Sequence, residues 1–378
     1  MDGNRTPGAT RHFRRRAAPT LVDCPRHPRD DDGAMRSDGS FTLPRAGLAL
    51  VAALTLGETG DEGAWELTTP EPVVPFRPAE LEGWREISCA ECHAAVVEEW
   101  AGTAHGLAWV DEVYQEELAG RKRVRSCLGC HVPQPLLVSE LPKRPKARAE
   151  DRHLGVSCDA CHLGPDGTML GPLGVETDAH ATEQSSHFSE AGASALCTTC
   201  HATSIGPVVG IAKDFHASGQ AARGRSCVGC HMAFVERELT VPERGGDGST
   251  AAGVRRVRSH ALQTPRDPRF ARMAFEVRLE LRAGRAVVVI SNRAGHRVPG
   301  LIGREFRFRA ELFDEAGTIV GTGEHVIDAR RYLPVDGAVE LELGPGGVRA
   351  RLTGDHVDPR APEAIPFLDL ELEAGAGC

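Results

Sequence analysis

The chain has 378 residues, 44 basic and 53 acidic for a net charge of −9, with 41% hydrophobic and 5% aromatic residues. It is long enough for two domains with real cores and too apolar for a disordered tail. The mildly acidic balance, with basic residues that are almost all arginine, argues against a nucleic-acid stripe, and no apolar run reaches the roughly 18 to 20 residues of a spanning helix. Twelve cysteines and sixteen histidines stand out. They are too many and too regularly placed for an ordinary cytosolic enzyme.

Residues 1–34 lack apolar periodicity and read as an unstructured leader. From Met35 the chain runs through Arg36 and Arg45 into the apolar stretch Ala46–Gly57 and then polar residues, the layout of a secretory signal peptide over 35–60. A buried helix is the alternative, but such a helix would carry a polar face that this run lacks. The expectation is export to the periplasm or the extracellular side, with translation starting at Met35 and no lipid-anchoring Cys. Pro70, Pro72, Pro75 and Pro78 mark 61–86 as a Pro-rich linker.

Five times the chain repeats Cys-x-x-Cys-His: Cys89/Cys92/His93, Cys127/Cys130/His131, Cys158/Cys161/His162, Cys197/Cys200/His201 and Cys227/Cys230/His231. Chance would supply roughly 0.02 copies at this composition, so the pattern has a purpose. Two thiols at this spacing span the two vinyl groups on one porphyrin edge, and the next residue offers its imidazole to the iron. A zinc site needs no His after every second Cys, and a redox dithiol occurs once. The reading is five covalent c-type haems with these histidines as proximal ligands. It agrees with export, since thioether attachment belongs to the oxidising side of the membrane. Motifs one to three and three to five are equally spaced, which hints at a repeated haem-pair unit. Short helices are expected at Ala94–Leu107, Val110–Leu118 and Ala191–Leu196, with a basic, Pro-rich excursion at Pro133–Pro145 between the second and third motifs. Arginines are expected to pair with haem propionates.

The segment CHAAVVEEWAGTAHGLA places Trp100, Thr103 and His105 after the first motif. With GVSCDACH (Gly155–His162), CHVP (Cys130–Pro133) and CHM (Cys230–Met232), it resembles multihaem cytochromes of the cytochrome c-554 type, tetrahaem electron carriers associated with hydroxylamine oxidation and their relatives. Arg258–Phe270 and Ser291–Gly300 (SNRAGHRVPG) are similar to relatives with a C-terminal β domain, although Pro299-Gly300 lacks the Thr of the usual Pro-Thr-Gly. The resemblance spans 87 to about 325. It implies His105, His180, His260 and His296 as distal iron ligands. For the fifth, His216 ranks first, His187 second and His153 third, because Phe215–Gln220 laid on Trp100–His105 puts Gln220, not a histidine, on the ligand position. His325 and His356 are expected to be surface residues of strands.

From Phe275 the pattern becomes alternating. Strands joined at Ala283-Gly284 and Asp314–Gly317, with others at Ala338–Leu343, Val348–Leu352 and Phe367–Leu372, make about seven. The expected fold is therefore multidomain: a mainly α, low-secondary-structure pentahaem domain (87–270) followed by an antiparallel β-sandwich (271–378). Cys24 and Cys378 are given no role. The expected function is electron transfer between periplasmic or extracellular redox proteins, such as other cytochromes or quinol-linked donors, with no catalytic residue, no nucleic acid and no membrane span. Two alternatives differ in class. One is a haem enzyme acting on a small nitrogen or sulfur compound at an open iron; the other is a conduit or oligomer component docked through the β domain.

Overall fold

The chain is described here by a computed structural model covering residues 88–204, 210–240, 253–301 and 303–374, all within the compact unit Gly63–Cys378. The expected leader, signal peptide and Pro-rich linker, together with Cys24, Cys378, His12 and His27, lie outside the described residues. In the first half, short helices carry the Cys-x-x-Cys-His motifs. They are α1 (Ala90–Ala101), α2 (Glu112–Ala119), α3 (Arg125–His131), α4 (Cys158–His162), the parallel pair β1 (Met169–Gly171) and β2 (Thr182–Gln184), α5 (Glu190–His201), α6 (Ile211–Ala217), α7 (Cys227–His231), the hairpin β3 (Phe234–Glu238) and β4 (Val254–Arg258), and α8 (Pro268–Met273). One helical turn puts cysteines three apart on the same face, so α3, α4 and α7 are little more than the motifs themselves. Asp111, Ser189 and Asp267 cap α2, α5 and α8 by accepting backbone N–H groups of the first turn.

The first helix lies earlier than its sequence pattern implied, at 90–101 rather than 94–107. This corrects the place of Cys92 and His93, which fall inside α1 and not in a loop ahead of it. The reason is local: the backbone N–H groups of Cys92 and His93 donate to Cys89 O at 3.3 and 2.8 Å and close the first turn, and helical angles lapse only at His93, with φ −106° and ψ 37°. At the other end Gly102 is the C-cap, and the Thr103 hydroxyl donates to the Trp100 carbonyl and turns the chain away. The third expected helix extends from 191–196 to Glu190–His201, because its last turn holds the fourth motif. Apolar clusters here are small: Ala90, Val97, Trp100 and Ala101 form one, and Leu136, Leu137, Leu170 and Leu196 another.

The second half is antiparallel β. It comprises β5 (Phe275–Arg282), β6 (Arg285–Asn292), β7 (Glu305–Phe313), β8 (Ile319–Ile327), β9 (Ala338–Pro345), β10 (Arg349–Val357) and β11 (Ile365–Glu373). The β5–β6 turn puts Ala283 and Gly284 both at positive φ, 50° and 76°, the requirement of a tight two-residue hairpin. One sheet has the order β5-β6-β9 and the other β11-β10-β7-β8. Both contribute to one apolar core: Phe275, Leu279, Val288, Ile290 and Leu341 from the first, and Phe306, Phe308, Leu312, Leu352 and Phe367 from the second. The rings of Phe275, Phe306, Phe308 and Phe367 pack mostly edge to face, with centres 5.1–5.8 Å apart. Among the described residues no helix is long and apolar enough to cross a membrane.

His356 corrects an expectation. It lies in β10 opposite Phe306 of β7 and is 0% exposed, and neither ring nitrogen has a hydrogen-bond partner. The expected strand, Val348–Leu352, runs on to Val357; an alternating strand places every second residue in the core, and His356 is in phase with Leu352 and Gly354.

Candidate haem-binding site

The Trp-x-x-Thr-x-His signature has a local cause. Trp100 is buried and its Nε1 donates to Val156 O at 2.8 Å. Thr103 Oγ1 donates to Trp100 O and accepts from the backbone N–H groups of His105 and Gly106. The carbonyl of His105 then receives Val156 N, in the lead-in to the third motif. Gly155, at φ +53°, lies so close to that segment that a Cβ would strike the His105 carbonyl. The same turn recurs after α6: Ser218 Oγ donates to Phe215 O at 2.7 Å and accepts from Gln220 N at 3.3 Å. Gln220 therefore occupies the station of His105. It is buried, with Oε1 unpartnered.

Four motif histidines each face a second imidazole. Ring centres are 6.4 Å apart for His93 and His180, 6.1 Å for His162 and His260, 6.2 Å for His201 and His105, and 6.3 Å for His231 and His296. A metal held by two opposed imidazoles, with metal–nitrogen distances of about 2.0 Å, puts ring centres roughly 6 Å apart. The donor pairs therefore fit an iron between them. Tautomers agree. Nδ1 lies beside a carbonyl oxygen in His93 (Leu239), His131 (Ala108), His162 (Leu170), His231 (Gln263) and His296 (Arg297), at 2.7–2.8 Å. Since a carbonyl only accepts, Nδ1 must carry the proton, leaving the Nε2 lone pair for a metal. Burial pushes His105 and His231 down to about 4 and His260 to about 3, and it lowers His131, His162, His201 and His296 as well. All are thus held neutral, the form that binds metal.

The distal imidazoles come from far along the chain, and two of them show how they are anchored. His260 follows β4, and its backbone N–H donates at 2.8 Å to Glu99 of α1, which also pairs with Arg237. His296 sits in the loop after β6. Buried Asn292 donates Nδ2 to His296 O, Leu333 O and Pro334 O and accepts from Ala294 N. Arg297 grips Asp214 of α6 through two nitrogens, at 2.5 and 2.9 Å. A Cβ on Gly295 would meet the Phe215 ring, so glycine lets the loop seat against the helical half.

His131 differs. Its ring neighbour is Tyr114 of α2, stacked at 3.7 Å and 7°, and among the described residues no second imidazole faces it. Tyr114 is buried, its hydroxyl is unpartnered, and burial pushes the phenol up to about 12. Trp109 lies 6.2 Å away with the Arg152 guanidinium over its ring. None of the three candidates for the fifth distal position lies there. His216 is exposed and edge-on to Phe215, His153 is exposed, and His187 sits beside Phe188, which itself stacks on His162. Sequence reasoning missed Tyr114, although a buried tyrosine in a chain with two is a signal of its own.

All ten motif cysteines are free thiols, and their neighbours reveal an order that is not the sequence order. Cys89 touches Cys158, Cys130 touches Cys200, and Cys197 touches Cys227, while Cys161 lies within electrostatic reach of Cys197 and Cys200. Motif three therefore adjoins one and four, and motif four also adjoins two and five. Within the first motif the two cysteines are not equivalent. Cys92 is half-buried inside α1, one turn on from Cys89, and the contact with motif three runs through Cys89 and not through Cys92.

Residues 88–163 match the family model of cytochrome c554 and c-prime. No curated protein matches the chain. A penta-heme cytochrome c552 from Thermochromatium tepidum is similar in fold, with a TM-score of 0.52 and 16% identity over 75% of this chain and 97% of that one. Together with the repeated Cys-x-x-Cys-His segments, these matches support a multihaem cytochrome c of the cytochrome c554 type.

Proposed function

We propose that the chain is an exported electron carrier holding five covalent haems, with its C-terminal sheets forming a sandwich that would supply one iron ligand, His296. The observation that carries this reading is the set of four opposed imidazole pairs at 6.1–6.4 Å. In this reading Cys89/Cys92, Cys127/Cys130, Cys158/Cys161, Cys197/Cys200 and Cys227/Cys230 hold the porphyrins, and His93, His131, His162, His201 and His231 are the proximal ligands. His180, His260, His105 and His296 close the first, third, fourth and fifth irons. Haem c supplies reversible one-electron chemistry when bound. The chain's own work would be to hold the buried imidazoles neutral and oriented, and to set the motifs in the order one–three–four, with two and five adjoining four. Mass spectrometry should find five haem additions, and EPR should find four low-spin bis-imidazole centres. A bare polypeptide mass ends the reading.

A second reading, in which a small ligand binds at the second haem, is favoured by the surroundings of His131, whose ring partner is the stacked Tyr114 and which, among the described residues, has no imidazole about 6 Å away as the other four motif histidines do. Carbon monoxide added to the reduced protein should then shift the spectrum of one haem in five. No shift confines the protein to electron transfer.

A further inference from the structure

Residues 119–149 hold eight Lys or Arg against one acid, Glu140, for a net charge of +7 in a chain of −9, which leaves the remainder at −16. Three of the four lysines of the chain lie here. The cations come in two runs, Arg121-Lys122-Arg123 with Arg125 before the second motif, and Lys143-Arg144 with Lys146 and Arg148 after it. The fold brings the runs together. Gly129, inside the second motif, packs so tightly on the Pro145 carbonyl that it has no room for a Cβ. Arg125, one helical turn earlier on α3, shares that face. Arg148 N donates to Val132 O at 2.9 Å and Gln134 N to Lys146 O at 2.8 Å, lacing the second run along the end of α3. Lys122, Arg123, Arg125, Lys143, Arg144 and Lys146 are all exposed, and none is paired with a carboxylate among the described residues.

We propose that this basic face over the second Cys-x-x-Cys-His motif is the docking surface for an acidic redox protein. The proposal rests on the electron-carrier reading. Six exposed cations spread over two adjoining segments suit an extended protein surface of opposite charge better than a small anion. On a chain otherwise acidic, such a face orients the approach of an acidic partner and directs it to this one haem site, raising the encounter rate by ten- to a thousandfold at low salt.

The test is stopped-flow reduction of the haem-loaded protein by reduced flavodoxin, a strongly acidic carrier, with neutral lumiflavin semiquinone as control. The rate with flavodoxin should fall as salt rises. The triple variant K143E/R144E/K146E should slow it at least tenfold at low salt and remove the salt dependence, and R123E/R125E, on the other run, should do the same. Both variants should keep the lumiflavin rate of the parent. A flavodoxin rate unchanged in both variants overturns the proposal, and so does an equal loss with lumiflavin, which would place the defect in the haems. Loss of nitrite binding or of salt-sensitive self-association, with the flavodoxin rate intact, also overturns it and assigns the face to a small anion or to a second copy. Failure of the carrier reading looks different: the parent would lack haem absorbance or would not be reduced by lumiflavin.

Discussion

The two halves of this molecule are held together by different materials. In the β half, side chains from two sheets fill one continuous core in which Phe306, Leu312, Ile327 and Leu352 are all 1% exposed or less. In the helical half the apolar clusters hold four buried residues each, and Tyr114 OH, Gln220 Oε1, Gln263 Oε1 and His260 Nδ1 are buried without a partner, against His356 in the β half. A chain segment that buries so little of its own apolar surface cannot offset the entropy of ordering its backbone. The difference teaches that the helical half was selected around something other than side chains, and that ten thiols and paired imidazoles mark where it belongs.

The sharpest way to break the comparison is to produce the chain without haem. The helical half should then be unfolded, with its helical circular dichroism lost and its amides from α1 to α7 exchanging freely, while strands β5–β11 keep their protection. A helical half that stays protected without haem would show that its small clusters suffice. The next largest effect is expected on the other side of the molecule. Phe306→Ala removes the ring at the centre of the aromatic cluster and should cost about 3–5 kcal/mol, the range for truncating a buried phenylalanine. Denaturation followed by sheet signals reads that loss, and haem spectra in the remaining folded protein should stay unchanged except at the centre that the proposal assigns to His296.

This asymmetry also governs what could be read in the sequence. All seven strands of the β half were legible, since period-two alternation and the Ala283-Gly284 turn are local signals. The motifs were legible because Cys-x-x-Cys-His is a fixed local spacing, although spacing alone did not show that Cys92 sits inside a helix while Cys89 precedes it. His105 was singled out only by the resemblance that Trp100 and Thr103 carry; the structure adds the turn beneath it, which Ser218 with Gln220 repeats without the histidine. What stayed hidden is long-range. Nothing in the sequence announces that Glu99 holds His260, that Cys89 meets Cys158, or that Tyr114 stacks on His131, because these contacts depend on how short elements are laid around the cofactors. The hairpin β3–β4 went unread for a similar reason, its strands being separated by a long stretch. His356 was misplaced because a polar residue was given the exposed phase of a strand.

Acid should separate the halves further, with a smaller effect. Burial, then the neighbouring Arg304, pushes His356 down to about 4. The unfolded chain therefore takes up a proton that the folded one refuses, and stability present above about pH 6.5 falls as pH drops toward 4, by about 3 kcal/mol. Asp358 is only 1% exposed. Burial alone would raise its carboxyl, but Arg304, the backbone N–H of Arg360 and Arg266 outweigh it and hold the group at about 2. Its contribution of about 2 kcal/mol is present above pH 4 and is lost between pH 4 and 2. Chemical denaturation across pH 7 to 4 should lose stability in the sheets, and His356→Leu should flatten that slope. An unaltered slope in His356→Leu would remove this residue from the account.

The smallest expected effect probes the seam between the halves. Asp358 gathers Arg304 at 3.1 Å, Arg266 at 3.3 Å and the backbone of Arg360 at 3.0 Å. The Arg360 side chain then reaches across to Asp111 with two bonds, 2.6 and 3.0 Å. Asp111 is the N-cap of α2 and accepts Tyr114 N at 2.8 Å, so one guanidinium from the β half fixes the helix that lays Tyr114 against His131. Both partners are mostly buried, with side chains 27% and 16% exposed, and the bidentate geometry is the favourable kind. Arg360→Gln should cost about 1–2 kcal/mol, as expected for losing charge-assisted bonds at a partly buried site. Arg360→Lys should restore little of it, because an ammonium cannot present a fork. A merely structural role would lower stability and leave the haems alone. A positioning role for α2 predicts in addition that the spectrum and potential of the second haem alone move in Arg360→Gln, and that Tyr114→Leu, which removes the stacked ring directly, moves the same centre in the same direction. If the four imidazole-paired centres shift and the second does not, the seam does not reach Tyr114 and the two halves are coupled only through His296.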